Sequence, residues 1–126
     1  MANGKPKVLL AEDDPFMVTL LSEALGKDGF DVVLAGNGED AVRQFPETRP
    51  DVLLMDILLP KKSGLDALRE IRALEGGANV PAVILSNIED PTYVREAEEL
   101  GVKAYLIKAN MQLPEIVAKV REALKR

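Results

Sequence analysis

Val8-Leu9-Leu10-Ala11-Glu12-Asp13-Asp14-Pro15 passes from four apolar residues straight into three acids and a proline. A short continuous apolar run bounded by turn signals reads as a strand buried on both faces, as in parallel sheets. Three more runs repeat the form. Val52-Leu53-Leu54-Met55 ends at Asp56, Ala82-Val83-Ile84-Leu85 at Ser86, and Ala104-Tyr105-Leu106-Ile107 at Lys108. Asp31-Val32-Val33-Leu34-Ala35 supplies one further strand.

Helical patterns separate these strands. Asp14-Pro15 is an N-cap followed by proline at the first helical position. Met17, Leu20, Leu21, Ala24 and Leu25 then keep the spacing of one helix face, with Gly26 suited to the C-terminal cap. Gly38 to Phe45 predicts a short second helix stopped by Pro46. Ser63-x-x-Asp66 resembles a capping box opening a third, lined by Leu65, Leu68, Ile71 and Leu74 and ending at Gly76-Gly77. Asp90-Pro91 repeats the cap-plus-proline start. The helix it opens has a thin apolar face of Tyr93, Val94, Ala97 and Leu100, ends at Gly101, and is expected to be the least firmly docked. The last helix carries Leu113, Ile116, Val117, Val120 and Leu124 on one face.

Alternation of strand and helix predicts an α/β fold with right-handed crossovers and helices on both faces. Five strands suit a doubly wound parallel sheet in the order 2-1-3-4-5, the flavodoxin-like (βα)5 arrangement. In such sheets ligands bind beyond the carboxyl ends of the strands, at the switch point. Here that point lies between strands 1 and 3, which carry Glu12-Asp13 and Asp56.

The bulk composition narrows the chemistry. A chain of 126 residues with 47% hydrophobic residues fits one domain, 1–126, with a real core. It has neither cysteine nor histidine, which removes disulfides, thiolates and every Ser-His or Cys-His mechanism. A net charge of −5 without tryptophan argues against direct nucleic-acid binding. No apolar stretch approaches the ~20 residues of a membrane span. Met1 to Lys7 lacks a secretory apolar region. A cytoplasmic protein is expected.

Clustered carboxylates repel one another, and a hard cation removes that cost. Mg²⁺ is typically held by one or two carboxylates together with phosphate oxygens and water. Glu12, Asp13 and Asp56 are therefore candidate ligands, although Glu12-Asp13-Asp14 also reads as acids at a positive helix terminus, and Asp14 as a plain cap. A carboxylate such as Asp56 can act as nucleophile toward phosphorus. Ser86 and Lys108, each unremarkable alone, become phosphate-oxygen donors when they face an anion at a strand end. A competing motif is Gly36-Asn37-Gly38-Glu39-Asp40-Ala41, which matches G-x-G-x-x-A between a strand and a helix, with Asp56 20 positions beyond Gly36. It supports an alternative reading as a dinucleotide-binding module. The short helix before Pro46 and the edge position of the second strand argue against it, and it leaves Glu12, Asp13, Ser86 and Lys108 unexplained.

With VLLAEDDP, PDVLLMDILLPKKSGLDALREIR, VILSN and GVKAYLIK in place, the chain resembles the CheY-like receiver domain of two-component response regulators over Lys7 to about Leu124. The intervals are also similar: 43 residues from Asp13 to Asp56, 30 on to Ser86 and 22 on to Lys108. The resemblance implies that Asp56 accepts a phosphoryl group from a histidine kinase or phosphotransfer protein. It implies Asp13 as a direct Mg²⁺ ligand, Glu12 as a ligand through water and the Leu58 carbonyl as a further ligand. Ser86 would be the switch hydroxyl, Tyr105 the switch aromatic and Lys108 the phosphoryl-binding lysine. Tyr105 also reads as an ordinary strand residue. The implied activity is self-catalysed phosphorylation and slow autodephosphorylation. The downstream protein partner would bind the Pro91–Leu100 helix, the fifth strand and the last helix. Two positions depart from the family. Ala109 stands after the lysine, where proline is usual, and Asn87 follows the hydroxyl, where a small residue is usual.

Overall fold

The five apolar runs form five parallel strands. The computed structural model describes residues 4–125. Met1 to Asn3 and Arg126, which the sequence reading assigns to the same domain, lie outside the described residues. In chain order the elements are β1 (Lys7–Ala11), α1 (Pro15–Lys27), β2 (Asp31–Ala35), α2 (Gly38–Thr48), β3 (Val52–Met55), α3 (Gly64–Arg72), β4 (Ala82–Ser86), α4 (Pro91–Glu99), β5 (Ala104–Ile107) and α5 (Leu113–Ala123). A 3-10 turn over Lys108–Asn110 joins β5 to α5. The sheet order is β2-β1-β3-β4-β5, as expected.

Strand pleating sends alternate side chains to opposite faces, so each apolar run feeds two cores. Leu9, Ala11, Leu53, Met55 and Ile84 pack with Phe45, Leu65, Leu68, Ile71 and Ala97 from α2, α3 and α4. Val8, Leu10, Val52, Leu54, Val83 and Leu85 pack with Leu21, Leu25, Ile116, Val117 and Val120 from α1 and α5. Burial on both faces explains why β1, β3 and β4 read as continuous apolar runs rather than alternating ones.

The N-cap residues act as read, although Asp66 does not complete the capping box with Ser63 and its carboxylate takes Arg69 instead. Asp14 accepts from the Phe16 N–H at 3.0 Å, Ser63 from Asp66 at 3.1 Å and Asp90 from Thr92 at 2.8 Å. Three boundaries differ from the sequence reading. α1 runs through Gly26 to Lys27, and Gly29 takes the left-handed conformation instead, at φ +93°. α2 runs through Pro46 to Thr48, and Arg49 caps it in the left-handed conformation at φ 49°. Proline there forfeits one backbone bond in the last turn, while Phe45 stays buried beneath it. The short-helix objection to the dinucleotide motif therefore falls; the edge position of β2 stands. α3 ends at Arg72, short of Gly76. Arg72 donates to the carbonyls of Gly77 at 2.9 Å, Val80 at 2.6 Å and Leu100 at 2.8 Å, gathering the following chain under the helix end. Within α4 only Ala97 is buried, in keeping with its thin apolar face.

Candidate functional site

Register places the acids. Ala11 pairs with Ala35 on one side and Met55 on the other. The Glu12 N–H donates to the Ala35 carbonyl at 3.1 Å and the Asp56 N–H to the Ala11 carbonyl at 3.0 Å. Glu12 and Asp56 are therefore neighbours one residue past the strand ends, Glu12 3% and Asp56 8% exposed. Asp13 is exposed beside them, and carboxylate oxygens of Glu12, Asp13 and Asp56 lie within 4.8 Å of one another.

Lys108 reaches this cluster from the end of β5. Its Nζ lies 2.9 Å from Glu12 Oε1 and donates to Asp56 Oδ2 at 2.7 Å. Burial alone would lower the Lys108 ammonium, but the hydrogen bonds to Asp56 and then Glu12, with their charges, outweigh it and raise it above its ordinary value. The second Asp56 oxygen, Oδ1, accepts the Ile57 N–H at 2.7 Å. Glu12 Oε2 accepts the Asp14 N–H at 3.1 Å. One ammonium thus bridges two buried carboxylates whose remaining oxygens are held by backbone N–H groups, so both acids point to one place.

Ser86 ends β4 on the same edge of the sheet and is 1% exposed. Its Oγ accepts the Ile88 N–H at 3.3 Å, so the hydroxyl is engaged with its own loop. Tyr105 donates its hydroxyl to the Ile88 carbonyl at 2.7 Å. Its phenol is raised above the ordinary value by burial and by the charges of Asp56 and Asp90, with a contribution from Tyr93. The Leu58 side chain is 67% exposed, and its N–H approaches Asp56 Oδ1 at 3.4 Å. Asp14 serves as the α1 cap.

The Gly36-Asn37-Gly38 motif has a packing explanation. Asn37 caps α2 by accepting the Asp40 N–H at 2.8 Å. A Cβ on Gly38 would lie 2.0 Å from the Lys62 carbonyl oxygen, so the loop before α3 demands glycine there.

Gly64, the first residue of α3, positions the site. A Cβ there would lie 1.8 Å from the Asp56 carbonyl oxygen, and the Gly64 N–H donates to Ile57 at 2.8 Å. The available signal is a glycine at the first position of a helix, where its low propensity asks for another reason.

The donor set suits a hard divalent cation: carboxylate oxygens only, at one sheet edge, partly open to water through Asp13. Among the described residues, no helix is long and apolar enough to cross a membrane.

The model of the family described as "Response regulator receiver domain" matches residues 8–121. The DNA-binding response regulator MtrA of Mycolicibacterium smegmatis is 35% identical over 126 residues, covering 100% of this chain and 54% of that protein. The chemotaxis protein CheY of Thermotoga maritima is 33% identical over 103 residues, covering 81% of this chain and 84% of that protein. The chain spans about half the length of MtrA and of the Mycobacterium tuberculosis regulator TrcR, 54% and 48%. Among solved structures, the receiver domain of a Pseudomonas aeruginosa sensor histidine kinase superposes with a TM-score of 0.86 at 31% identity, covering 96% of this chain and 98% of that one. That crystal structure has a magnesium ion coordinated in its active-site cleft. Fold, strand order and sequence agree, and this chain belongs to the response regulator receiver family.

Proposed function

We propose that residues 1–126 form one receiver unit, switched by phosphorylation of Asp56. The observation that carries this reading is the Lys108 ammonium held between Asp56 and Glu12, 2.7 and 2.9 Å away, with Asp13 alongside. An Asp56 carboxylate oxygen attacks phosphorus, the donor's P–N or P–O bond breaks, and its electron pair leaves with the donor as the acyl phosphate forms. Lys108 already contacts Asp56 Oδ2 and is available to neutralise phosphoryl oxygens. Glu12 and Asp13, with Asp56 and the Leu58 carbonyl, would hold Mg²⁺, which supplies charge neutralisation to the transferring group. Ser86 supplies a hydroxyl donor on the same sheet edge, because its Oγ only accepts from the Ile88 N–H and its own O–H stays available.

The donor is a histidine kinase or phosphotransfer protein, the classes with which receiver domains work, and the setting is cytoplasmic. The output surface is α4, β5 and α5. Tyr105, bonded to Ile88, links that surface to the Ser86 loop. The acidic unit itself is proposed to contact protein rather than nucleic acid. The relatives whose names carry DNA binding extend well beyond the matched part.

The test is incubation with acetyl phosphate and Mg²⁺, followed by mapping of the modified peptide by mass spectrometry. A single label on Asp56, lost in Asp56→Asn, is expected. Wild-type stoichiometry in Asp56→Asn would overturn the assignment.

A further inference from the structure

Ser86 with Ile107 is the last ladder pair of β4 and β5, and among the described residues no further strand pairing joins the two segments beyond it. A side chain takes over. Asn87 Oδ1 accepts the Ala109 N–H at 2.9 Å. The two positions that depart from the usual receiver pattern are thus bonded to each other.

We propose that Asn87 is a positioning residue for Lys108. β5 holds the lysine's backbone on one side at Ile107, and the Asn87 amide holds it on the other at Ala109. The residue doing this directly follows Ser86, so the hydroxyl and the ammonium proposed to bind the phosphoryl group sit on one clamped pair of loops. The clamp requires an N–H at position 109, which alanine has and proline lacks. It also requires a side-chain acceptor long enough to span the gap, which alanine or glycine at position 87 lacks. The same loop is braced twice more, by Ser86 Oγ accepting from Ile88 and by Tyr105 donating to the Ile88 carbonyl. Both of those bonds lie on the β5 side of Lys108 or within the loop itself; past the lysine, the Asn87 contact at Ala109 is what ties the turn to this loop.

The inference rests on the phosphoryl-acceptor reading, and two measurements keep the two apart. In the first, initial rates of Asp56 labelling by acetyl phosphate are compared for wild type, Asn87→Ala, Ala109→Pro and the double variant. One exposed hydrogen bond corresponds to a slowing of about two- to fivefold in each single variant. The double variant is expected to be no slower than the slower single, because both changes remove the same bond. The second measurement is hydrogen exchange at the Ala109 amide without any phosphodonor. Protection is expected in wild type and its loss in Asn87→Ala.

If Asn87 instead only obstructs the donor, Asn87→Ala accelerates labelling and Ala109→Pro leaves it unchanged, which overturns the proposal. Additive slowing in the double variant, or unchanged Ala109 exchange in Asn87→Ala, overturns it as well. Should Ala109→Pro fail to fold, the exchange measurement on Asn87→Ala decides alone. A wild-type protein that takes no label at Asp56 defeats the acceptor reading, while the exchange result still stands or falls separately.

Discussion

Replacing Lys108 with methionine keeps the stem of the side chain and removes its charge. The ammonium lies 2.9 Å from Glu12 and 2.7 Å from Asp56, whose side chains are 2% and 9% exposed. At an effective dielectric of about 20, each contact is worth roughly 6 kcal/mol of gross attraction. Most of that only offsets the hydration lost by three partly or wholly buried charges. What an experiment reads is the cost of removing one partner, about 3–5 kcal/mol for buried pairs. The Lys108 side chain is 16% exposed and water reaches it, so the lower end, about 3 kcal/mol, applies. In a chain of this size that corresponds to a Tm lower by about 10 °C. The assay is thermal and urea unfolding by circular dichroism, at neutral pH, in chelator and in saturating Mg²⁺. The variant gains more from Mg²⁺ than wild type, because the cation replaces the missing charge between the same carboxylates. The pH dependence has a definite sign. Lys108 is raised in the folded protein, so its contribution is complete below the ordinary lysine value of about 10.4 and is lost as pH climbs through the folded value. The gap between wild type and Lys108→Met therefore closes at strongly alkaline pH. Equal stabilities in chelator, or a gap unaffected by Mg²⁺, would refute the view that Lys108 neutralises this pair.

Asp13→Asn should weaken Mg²⁺ binding in calorimetric titration, yet raise metal-free stability by about 1 kcal/mol through relief of repulsion near water; titration like wild type would leave Asp13 no role as ligand. Gly64→Ala should cost at least about 2 kcal/mol in urea unfolding, because its Cβ would fall 1.8 Å from the Asp56 carbonyl oxygen. A neutral result would mean that α3 shifts freely. Hydrogen exchange with and without beryllofluoride should change in α4 and β5, α4 burying only Ala97; changes confined to α1 would contradict the proposed output surface. The acyl phosphate should decay slowly, since apolar Leu58 and Ile88 offer no hydrogen bond to an in-line water. Decay in the Leu58→Asn, Ile88→Glu double variant that is no faster than wild type would end that argument.

Much of this protein was legible in one dimension. Apolar runs buried on both faces, caps at Asp14, Ser63 and Asp90, and strict β/α alternation report local energetics, and local energetics select the elements and their order. The gathering of Glu12, Asp56, Ser86 and Lys108 at the strand ends was legible too, because a parallel sheet brings those ends to one edge whatever lies between. The boundaries that went astray are those where distant residues outvote the local signal. Gly26 stays helical, Pro46 is carried through a turn by buried Phe45, and α3 stops where Arg72 gathers three carbonyls. Only the tertiary structure decided that Lys108 bridges Glu12 and Asp56, that Gly64 must lack a side chain, and that Asn87 is bonded to Ala109. Those facts depend on register and on approaches of an ångström or two between separate strands and loops. Sequence patterns specify which face a residue occupies, whereas contact across a sheet edge is set by how the whole core packs.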